Sequence, residues 1–256
     1  NIDGLSRVTP SGTFTSFPFT LAQNSESAVS EMIPAADGAV WVGLGSAESG
    51  CCTGIARIDD AGNFSNVASL SNRPVNLTLG KDNNLWFSTG TNVDSMTSAG
   101  AVTTYTLPGA SPNQNPLRFT IGPDGNFWAP FPYGASTLLK FSTSGSVVSN
   151  GALTYTAPWD SYYSTISPLI PQGFHYVKDA SGNIYTTDSN AQAVLRIKPS
   201  GQASAYPTYS STINRVQDPM ELCIGADGKL YLFSYQILSI SQNGELALTP
   251  IDLSAW

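Results

Sequence analysis

A short turn followed by a large aromatic residue occurs five times along this chain of 256 residues. Each copy has Asp or Ser in the turn and Trp or Tyr four residues later, as in Asp37/Trp41, Asp82/Trp86, Asp124/Trp128, Ser181/Tyr185 and Asp227/Tyr231. Successive turns lie 45, 42, 57 and 46 residues apart, close to the roughly 40 to 45 residues of a four-stranded propeller blade. The spacing therefore predicts an all-β fold, a β-propeller of four-stranded blades in which the aromatic residues pack between blades.

A second turn recurs in each unit, with glycine at Gly12, Gly62, Gly100, Gly145, Gly201 and Gly244. Glycine closes such a hairpin at positive φ without a Cβ clash. Six second halves but five first halves predict six blades, five complete and one half repeat, with five blades plus a hairpin as the alternative. We expect one propeller domain over residues 1–256, with a half repeat at 4–19 and repeats at about 31–70, 76–108, 118–155, 175–210 and 221–252.

The composition limits the classes of partner. Hydrophobic residues make up 41% of the chain and charged residues 11%, with a net charge of −7 and eleven Lys and Arg. This gives nucleic acid no basic surface to bind, and no apolar run approaches the roughly 18 to 20 residues of a membrane helix. We therefore expect no nucleic acid partner and no membrane span. The low charge and the abundance of Ser, Thr, Gly, Asn and Pro lead us to expect a protein that is secreted, periplasmic or displayed at the cell surface.

Three strings carry a family resemblance. Residues 122–128 (GPDGNFW), 80–87 (GKDNNLWF) and 6–12 (SRVTPSG) resemble the repeats of streptogramin (virginiamycin B) lyase-like and NHL-type propellers, and the similarity covers nearly the whole chain. The resemblance implies the propeller architecture. It does not choose a function, because the same fold hosts lyases, lactonases, lectins and scaffolds.

A polar residue stands six positions before each first turn, where the innermost strand begins. The five are Glu31, Asn76, Arg118, His175 and Glu221. The next residue is apolar in every repeat, as strand alternation requires, and the start of the inner strand of a propeller faces the central funnel. We predict a ligand-binding ring at these five positions, with simple solvation of the strand starts as the alternative.

Two irregular loops fall on the face opposite the short turns, where variable binding loops are expected. One is the loop from Gly43 to Gly54, which contains Cys51 and Cys52. The other is an insertion upstream of His175, and its aromatic residues are Trp159, Tyr162 and Tyr163. We predict that both loops contact a ligand; the alternative for the aromatic loop is that it caps the propeller.

The three cysteines leave two pairings open. Cys51 and Cys52 are adjacent and could form a vicinal disulfide in an oxidising compartment. Cys223 occupies the inner-strand position of Ile33 and Val177, which predicts a buried, unpaired thiol. A bond between Cys52 and Cys223 is the competing pairing. Zinc is not expected, because no Cys/His metal spacing is present.

The candidate activities follow from the ring. The resemblance to streptogramin lyases implies catalysis by histidines with a divalent cation, but this chain has one histidine, so His175 is the single candidate base and a two-histidine site is impossible. A lactonase-like calcium or magnesium site would use oxygen atoms of Glu31, Asn76 and Glu221, with Arg118 in the same ring as an argument against it.

We therefore favour a non-enzymatic binding module that requires no cofactor. Its ligand is expected to be a glycan, another small polar molecule or a protein, held on the face of the irregular loops. The alternatives are a metal-dependent lactonase or hydrolase, a streptogramin-lyase-like enzyme, and a purely structural scaffold.

Overall fold

The computed structural model describes residues 3–9, 11–19, 27–46, 53–111, 117–130, 137–153, 176–188, 193–208, 221–233, 237–241 and 245–248. Within these ranges the chain forms antiparallel strands and no helix. It divides into two compact units, residues 1–117 and residues 118–256, which are described one at a time.

The first unit contains a hairpin and two four-stranded sheets. The hairpin pairs β1 (Asp3–Val8) with β2 (Phe14–Phe19). Blade 1 consists of β3 (Ser27–Pro34), β4 (Val40–Ser46), β5 (Gly54–Ile58) and β6 (Phe64–Ser69); blade 2 consists of β7 (Pro74–Leu79), β8 (Leu85–Thr89), β9 (Asn92–Met96) and β10 (Val102–Tyr105). In both blades each strand pairs with the next along the chain, as in a meander.

The second unit contains three more sheets of the same kind. Blade 3 consists of β11 (Thr120–Ile121), β12 (Phe127–Pro130), β13 (Thr137–Phe141) and β14 (Val147–Ala152). Blade 4 consists of β15 (Tyr176–Lys178), β16 (Ile184–Asp188), β17 (Ala193–Ile197) and β18 (Ala203–Pro207). Blade 5 consists of β19 (Glu221–Ile224), β20 (Leu230–Phe233), β21 (Ile237–Ile240) and β22 (Leu246–Leu248).

The described residues therefore form five four-stranded blades and one hairpin, which is the five-bladed alternative. The six-bladed version of the prediction would require a first half for the N-terminal repeat. In the described part of the chain β1 pairs with β2 alone, so the hairpin has no inner strands. The sequence already indicates this difference, since it has six second-half turns but only five first-half turns.

In blades 2, 3 and 5 a hydrogen bond joins the turn carboxylate to the aromatic residue of the same blade. Trp128 donates its indole N–H to Asp124 over 2.8 Å, and Trp86 donates in the same way to Asp82 over 3.2 Å. Tyr231 donates its hydroxyl to Asp227 over 3.0 Å. In these blades the four-residue spacing therefore reflects a side-chain hydrogen bond between the turn and the second strand.

Blade 4 makes the same connection from a different position. The sequence pairs Ser181 with Tyr185, but the Tyr185 hydroxyl donates to Asp179 over 3.0 Å. Asp179 also accepts the backbone and side-chain N–H groups of Asn183. Burial and the bond to Asp179 raise the pKa of Tyr185 to about 12, so this hydroxyl remains a hydrogen-bond donor at neutral pH.

A cation on the third strand completes the arrangement in three blades. Arg57, Lys140 and Arg196 stand directly opposite Trp41, Trp128 and Tyr185 in the strand register. Lys140 lies 3.7 Å from the centre of the Trp128 ring, a cation–π distance. In blade 1 Arg57 lies over Trp41 and forms an ion pair with the turn residue Asp37.

The aromatic residues also pack against the following blade, as predicted from their spacing. Trp41 of blade 1 shares a buried cluster with Leu77 and Leu85 of blade 2. In the second unit Trp128 packs with Ile184 of blade 4, and Tyr185 packs with Leu222 of blade 5. The same side chain therefore fixes its own turn and the packing between neighbouring blades.

Close packing of the indole ring explains a glycine two residues before the turn Asp. A Cβ placed on Gly122 would lie well inside van der Waals contact of the Trp128 indole nitrogen. We expect Gly122→Ala to lower the free energy of unfolding by about 1–3 kcal/mol, the usual cost of overpacking. Gly151→Ala is the matched control, because a Cβ there meets no atom within 4 Å. Urea unfolding of both variants measures the difference, and equal stability would contradict this role of Gly122.

The turn carboxylates also predict how stability depends on pH. Burial alone would raise the pKa of Asp124 and of Asp179, but hydrogen bonds outweigh it and lower both pKa values. They come from Asn126 and then Trp128 to Asp124, and from Asn183 and then Tyr185 to Asp179. A carboxyl whose pKa is lower in the folded state stabilises the fold when ionised, and this contribution is lost as the pH falls through the folded-state pKa.

We therefore expect the free energy of unfolding to decrease from about pH 5 downward. Asp179→Asn is expected to be less stable at pH 6 and to show a shallower decrease, because an amide does not titrate. Urea unfolding at pH 6, 4 and 3 measures both slopes. An unchanged slope in Asp179→Asn would show that this carboxylate does not contribute.

Candidate functional site

The predicted polar ring falls partly within the described residues. Glu31 lies in β3 and Asn76 in β7, and Arg118 lies just before β11. Glu221 begins β19, but its side chain is outside the described residues. The other predicted ligand contacts also lie outside the described residues and stay predictions: Cys51, Cys52, Trp159, Tyr162, Tyr163 and His175.

Glu31 connects the inner strands of blades 1 and 2. Its carboxylate accepts the backbone N–H of Leu77 over 3.0 Å, and the preceding Ser30 donates its hydroxyl to the carbonyl of Pro74 over 2.9 Å. The register of β3 shifts between Val29 and Glu31, a bulge that re-aims these side chains. Glu31 lies within β3 rather than at its start, and its carboxylate holds the backbone of the neighbouring blade.

Asn76 has an unusual backbone conformation for the middle of a strand. Its φ is 60°, in the left-handed region, and its exposed fraction is 7%. The pairing of β7 with β8 is interrupted between Val75 and Thr78, so Asn76 lies in a bulge directly before the amide that Glu31 binds. Asn tolerates this region better than most residues with a Cβ, and strained, buried polar residues cluster at functional sites.

A similar pair occurs in the second unit. The hydroxyl of Tyr176, the residue after His175, lies 3.5 Å from the backbone oxygen of Arg118. Burial raises the pKa of Tyr176, and the positive charge of Arg118 opposes this shift. Neighbouring inner strands therefore contact each other in each unit, through Glu31 and the Leu77 amide next to Asn76, and through Arg118 and Tyr176.

Sequence reasoning missed the residues that hold this arrangement. Gly43, opposite Glu31 in the strand register, leaves room for Ser30, whose hydroxyl would lie 2.5 Å from a Cβ at that position. Ser30 itself and the amide of Leu77 carry no sequence signal, because their bonds join residues 44 and 46 positions apart. A glycine inside an apolar strand is the one hint, since it indicates a close approach of another chain segment.

The prediction for Cys223 is wrong in one respect. Its thiol is free, so the pairing with Cys52 is not formed, but it is exposed rather than buried. Leu222 points into the cluster with Tyr185 of blade 4, and the next side chain of a strand points to the opposite face. The second unit contains no later described blade to cover that face.

The described residues contain no group of three or more His, Cys, Asp or Glu side chains that could hold a metal ion. The calcium or magnesium site predicted at Glu31, Asn76 and Glu221 remains a prediction, since the side chain of Glu221 lies outside them. Glu31 and Asn76 provide oxygen acceptors and Asn76 also an amide donor. These groups suit a ligand with hydroxyl groups as well as a hard cation.

Comparison with solved structures identifies similar folds. Virginiamycin B lyase from Staphylococcus aureus has a TM-score of 0.71, and its catalytically inactive variant with quinupristin has a TM-score of 0.72. In both cases the identity is 19%, and the match covers 98% of this chain and 78% of the lyase. An auxiliary nutrient binding protein from Bacteroides ovatus has a TM-score of 0.60 at 12% identity, over 90% of this chain and 61% of that protein.

The extracellular domain of a hybrid two-component system from B. thetaiotaomicron has a TM-score of 0.59 at 14% identity, over 88% of this chain and 31% of that protein. No protein-family model and no curated protein matches the sequence. The likeness confirms the β-propeller fold and, for the fold, the resemblance to virginiamycin B lyase-like propellers. The described residues include no helix of the length and hydrophobicity that a membrane crossing requires.

The bond between Glu31 and Leu77 yields a stability prediction. We expect Glu31→Ala to lower the free energy of unfolding by about 1–3 kcal/mol, because the buried Leu77 loses the acceptor of its N–H. Glu245→Ala is the control, since Glu245 is exposed. Urea unfolding compares the two. If Glu31→Ala were as stable as the control, the carboxylate would have no structural role.

Proposed function

We propose that this protein is a secreted or surface-displayed binding module that holds a small polar ligand, with a glycan as the preferred class, at the polar residues of the inner strands. The observation that carries the proposal is Asn76, a buried amide in left-handed conformation beside the carboxylate of Glu31. A residue held in this conformation costs of order 1–3 kcal/mol and persists where the surroundings impose it.

The chemistry of the ring positions supports a hydroxyl-rich ligand. Glu31 accepts hydrogen bonds, Asn76 both donates and accepts, and Arg118 donates. The carboxylate of Glu31 is already held by the Leu77 N–H of the next blade, so little ordering of this group is needed on binding. Trp159, Tyr162 and Tyr163 would add the aromatic faces that suit sugar rings.

The proposed location rests on two supports. The composition is rich in small polar residues and poor in charge, and structural neighbours include an extracellular domain and a nutrient binding protein. Neither neighbour shares more than 14% identity with this chain, so the ligand class is argued from the residues of the ring.

A streptogramin-lyase-like or metal-dependent lactonase activity is the second candidate. The observation that favours it is the likeness of fold to virginiamycin B lyase, including the variant with quinupristin. In this chain the single histidine, His175, would have to act as the base, and a cation would be held by Glu31, Asn76 and Glu221. A purely structural scaffold is the third candidate.

A glycan array combined with a thermal-shift screen of small polar ligands tests the binding module. We expect a hit whose affinity falls at least tenfold in Asn76→Gly, because glycine keeps the left-handed backbone and removes the amide. Asn83→Gly is the matched control: Asn83 also has a φ of 60°, but it lies exposed in a turn. Its affinity should be unchanged.

Other outcomes overturn the proposal. Silence of both screens with a folded sample would favour the scaffold. A hit that binds Asn76→Gly and the wild type equally would move the site away from the inner strands. Opening of the quinupristin ring, or calcium-dependent turnover of a lactone that Glu31→Gln abolishes, would favour the enzyme.

A further inference from the structure

Two triplets of the form Asn-x-Ser/Thr, in which x is not Pro, occur in the sequence. They are residues 63–65 (NFS) and 76–78 (NLT). Such a triplet is the acceptor of N-linked glycans in secreted proteins, and it must lie at the surface to be modified. The function proposed above uses the amide of Asn76 and leaves the first triplet unexplained.

The second triplet is closed to modification in the folded chain. Asn76 is 7% exposed and Leu77 is 4% exposed. The N–H of Leu77 donates to Glu31 of the neighbouring blade over 3.0 Å, so this segment is also held in place. Protein interiors are close-packed, and a glycan is far larger than the space around the Asn76 amide.

The first triplet has the opposite environment. Asn63 stands in the turn directly before β6, and both Asn63 and Ser65 are exposed. Successive side chains of an extended segment point to opposite sides. Phe64 packs against the cluster of Val42 and Ile58, so Asn63 and Ser65 share the side that faces solvent. The amide and the hydroxyl that a transferase requires are therefore presented together.

The hydrogen bonds of Asn63 are compatible with modification of its amide. The side-chain nitrogen donates to Asp59 over 2.8 Å, and the backbone N–H donates to the same carboxylate over 2.8 Å. A primary amide carries two hydrogen atoms. A sugar replaces one of them, so the other can keep the bond to Asp59, and the turn can be retained in the product.

The strand register separates this turn from the polar residues of the inner strands. The strand that follows Asn63 begins in the row that contains Val40, whereas Glu31 lies in the row of Gly43. Rows three residues apart are separated by about 10 Å. Modification of Asn63 and binding of a ligand at Glu31 therefore do not compete for the same place.

We propose that Asn63 is the acceptor of an N-linked glycan and that Asn76 stays unmodified. The donor is an oligosaccharide joined to a lipid through a diphosphate. The amide nitrogen of Asn63 forms a bond to the anomeric carbon as the bond from that carbon to the diphosphate oxygen breaks. The amide proton passes to a base of the transferase, and the lipid diphosphate leaves. The proposal rests on the secreted or surface-displayed location proposed above.

The folded, purified chain tests the structural part of the proposal. It is incubated with a lipid-linked oligosaccharide and an oligosaccharyltransferase that accepts folded chains, and mass spectrometry of peptides measures the glycan on each asparagine. We expect the occupancy of Asn63 to exceed that of Asn76 at least tenfold. No modification of Asn63, or equal occupancy of the two residues, would overturn the proposal.

Variants of the triplet identify the acceptor. Asn63→Gln should abolish the modification, and Ser65→Ala, which keeps the amide and removes the hydroxyl, should lower it at least tenfold, whereas Ser65→Thr should preserve it. Asn66→Gln is the matched control, because Asn66 is exposed in the same strand but has Ala68 at the hydroxyl position. Equal modification of Ser65→Ala and Asn66→Gln would contradict recognition of the triplet.

The protein from its natural source distinguishes failure of this proposal from failure of the proposed location. Recovery outside the cell with a glycan on Asn63 would support both. Recovery outside the cell with Asn63 unmodified would overturn the glycan alone. Recovery from the cytosol would overturn the location, and the glycan with it.

Discussion

The rest of the structure depends on the link between the second-strand aromatic and a carboxylate of the turn. In blades 2 to 5 it is a hydrogen bond from the aromatic N–H or O–H, and in blade 1 Arg57 makes the link by lying over Trp41 and pairing with Asp37. The bond gives a large apolar side chain a satisfied polar group, so that the ring can be buried between blades at no cost in unpaired donors. In blades 2 and 3 the acceptors are Asp82 and Asp124. Because the turn is held, the strand on either side of it keeps its register, and the face presented to the next blade is defined.

The two ends of each inner strand differ in how closely they repeat. The turn after the strand carries the repeated carboxylate and leads to the aromatic residue of the second strand. Six positions before the turn stands a polar residue in every repeat, of four different kinds among the five repeats, and blades 1 and 2 are joined there by the bond from the Leu77 amide to Glu31. The repeated end can maintain the fold while the other end varies.

The turns and their aromatic residues were largely predictable from sequence, because the residues that interact there lie close together in the chain. The carboxylate and the aromatic residue are four positions apart, and the turn glycines Gly62, Gly100 and Gly201 have φ of 87° as their role requires. Blade 4 keeps the spacing from Ser181 to Tyr185, but Asp179, which replaces the glycine two residues before the turn residue, accepts the bond of Tyr185. Comparison of equivalent positions does not reveal this bond, because the acceptor of the Tyr185 hydroxyl lies two residues earlier than in the other blades.

The candidate site was predictable in position but not in geometry. The sequence pattern predicted Glu31 and Asn76 at strand starts, whereas both lie inside their strands at bulges, and the bond from the Leu77 amide to Glu31 joins segments distant in sequence. The exposure of Cys223 and Met32 was also beyond prediction from a repeat, since a repeat implies the same neighbours for every copy. Both residues lie on faces that no further described blade of their unit covers.

The most direct test of the account is a double-mutant cycle between Asp124 and Trp128. Asp124→Ala, Trp128→Phe and the double variant are compared by urea unfolding, so that the lost turn bonds and the reduced ring area cancel. The account predicts a coupling free energy of about 1 kcal/mol, the net contribution of a hydrogen bond to stability. Additivity within about 0.3–0.5 kcal/mol would show that the aromatic residue and the turn act independently, and it would contradict the account.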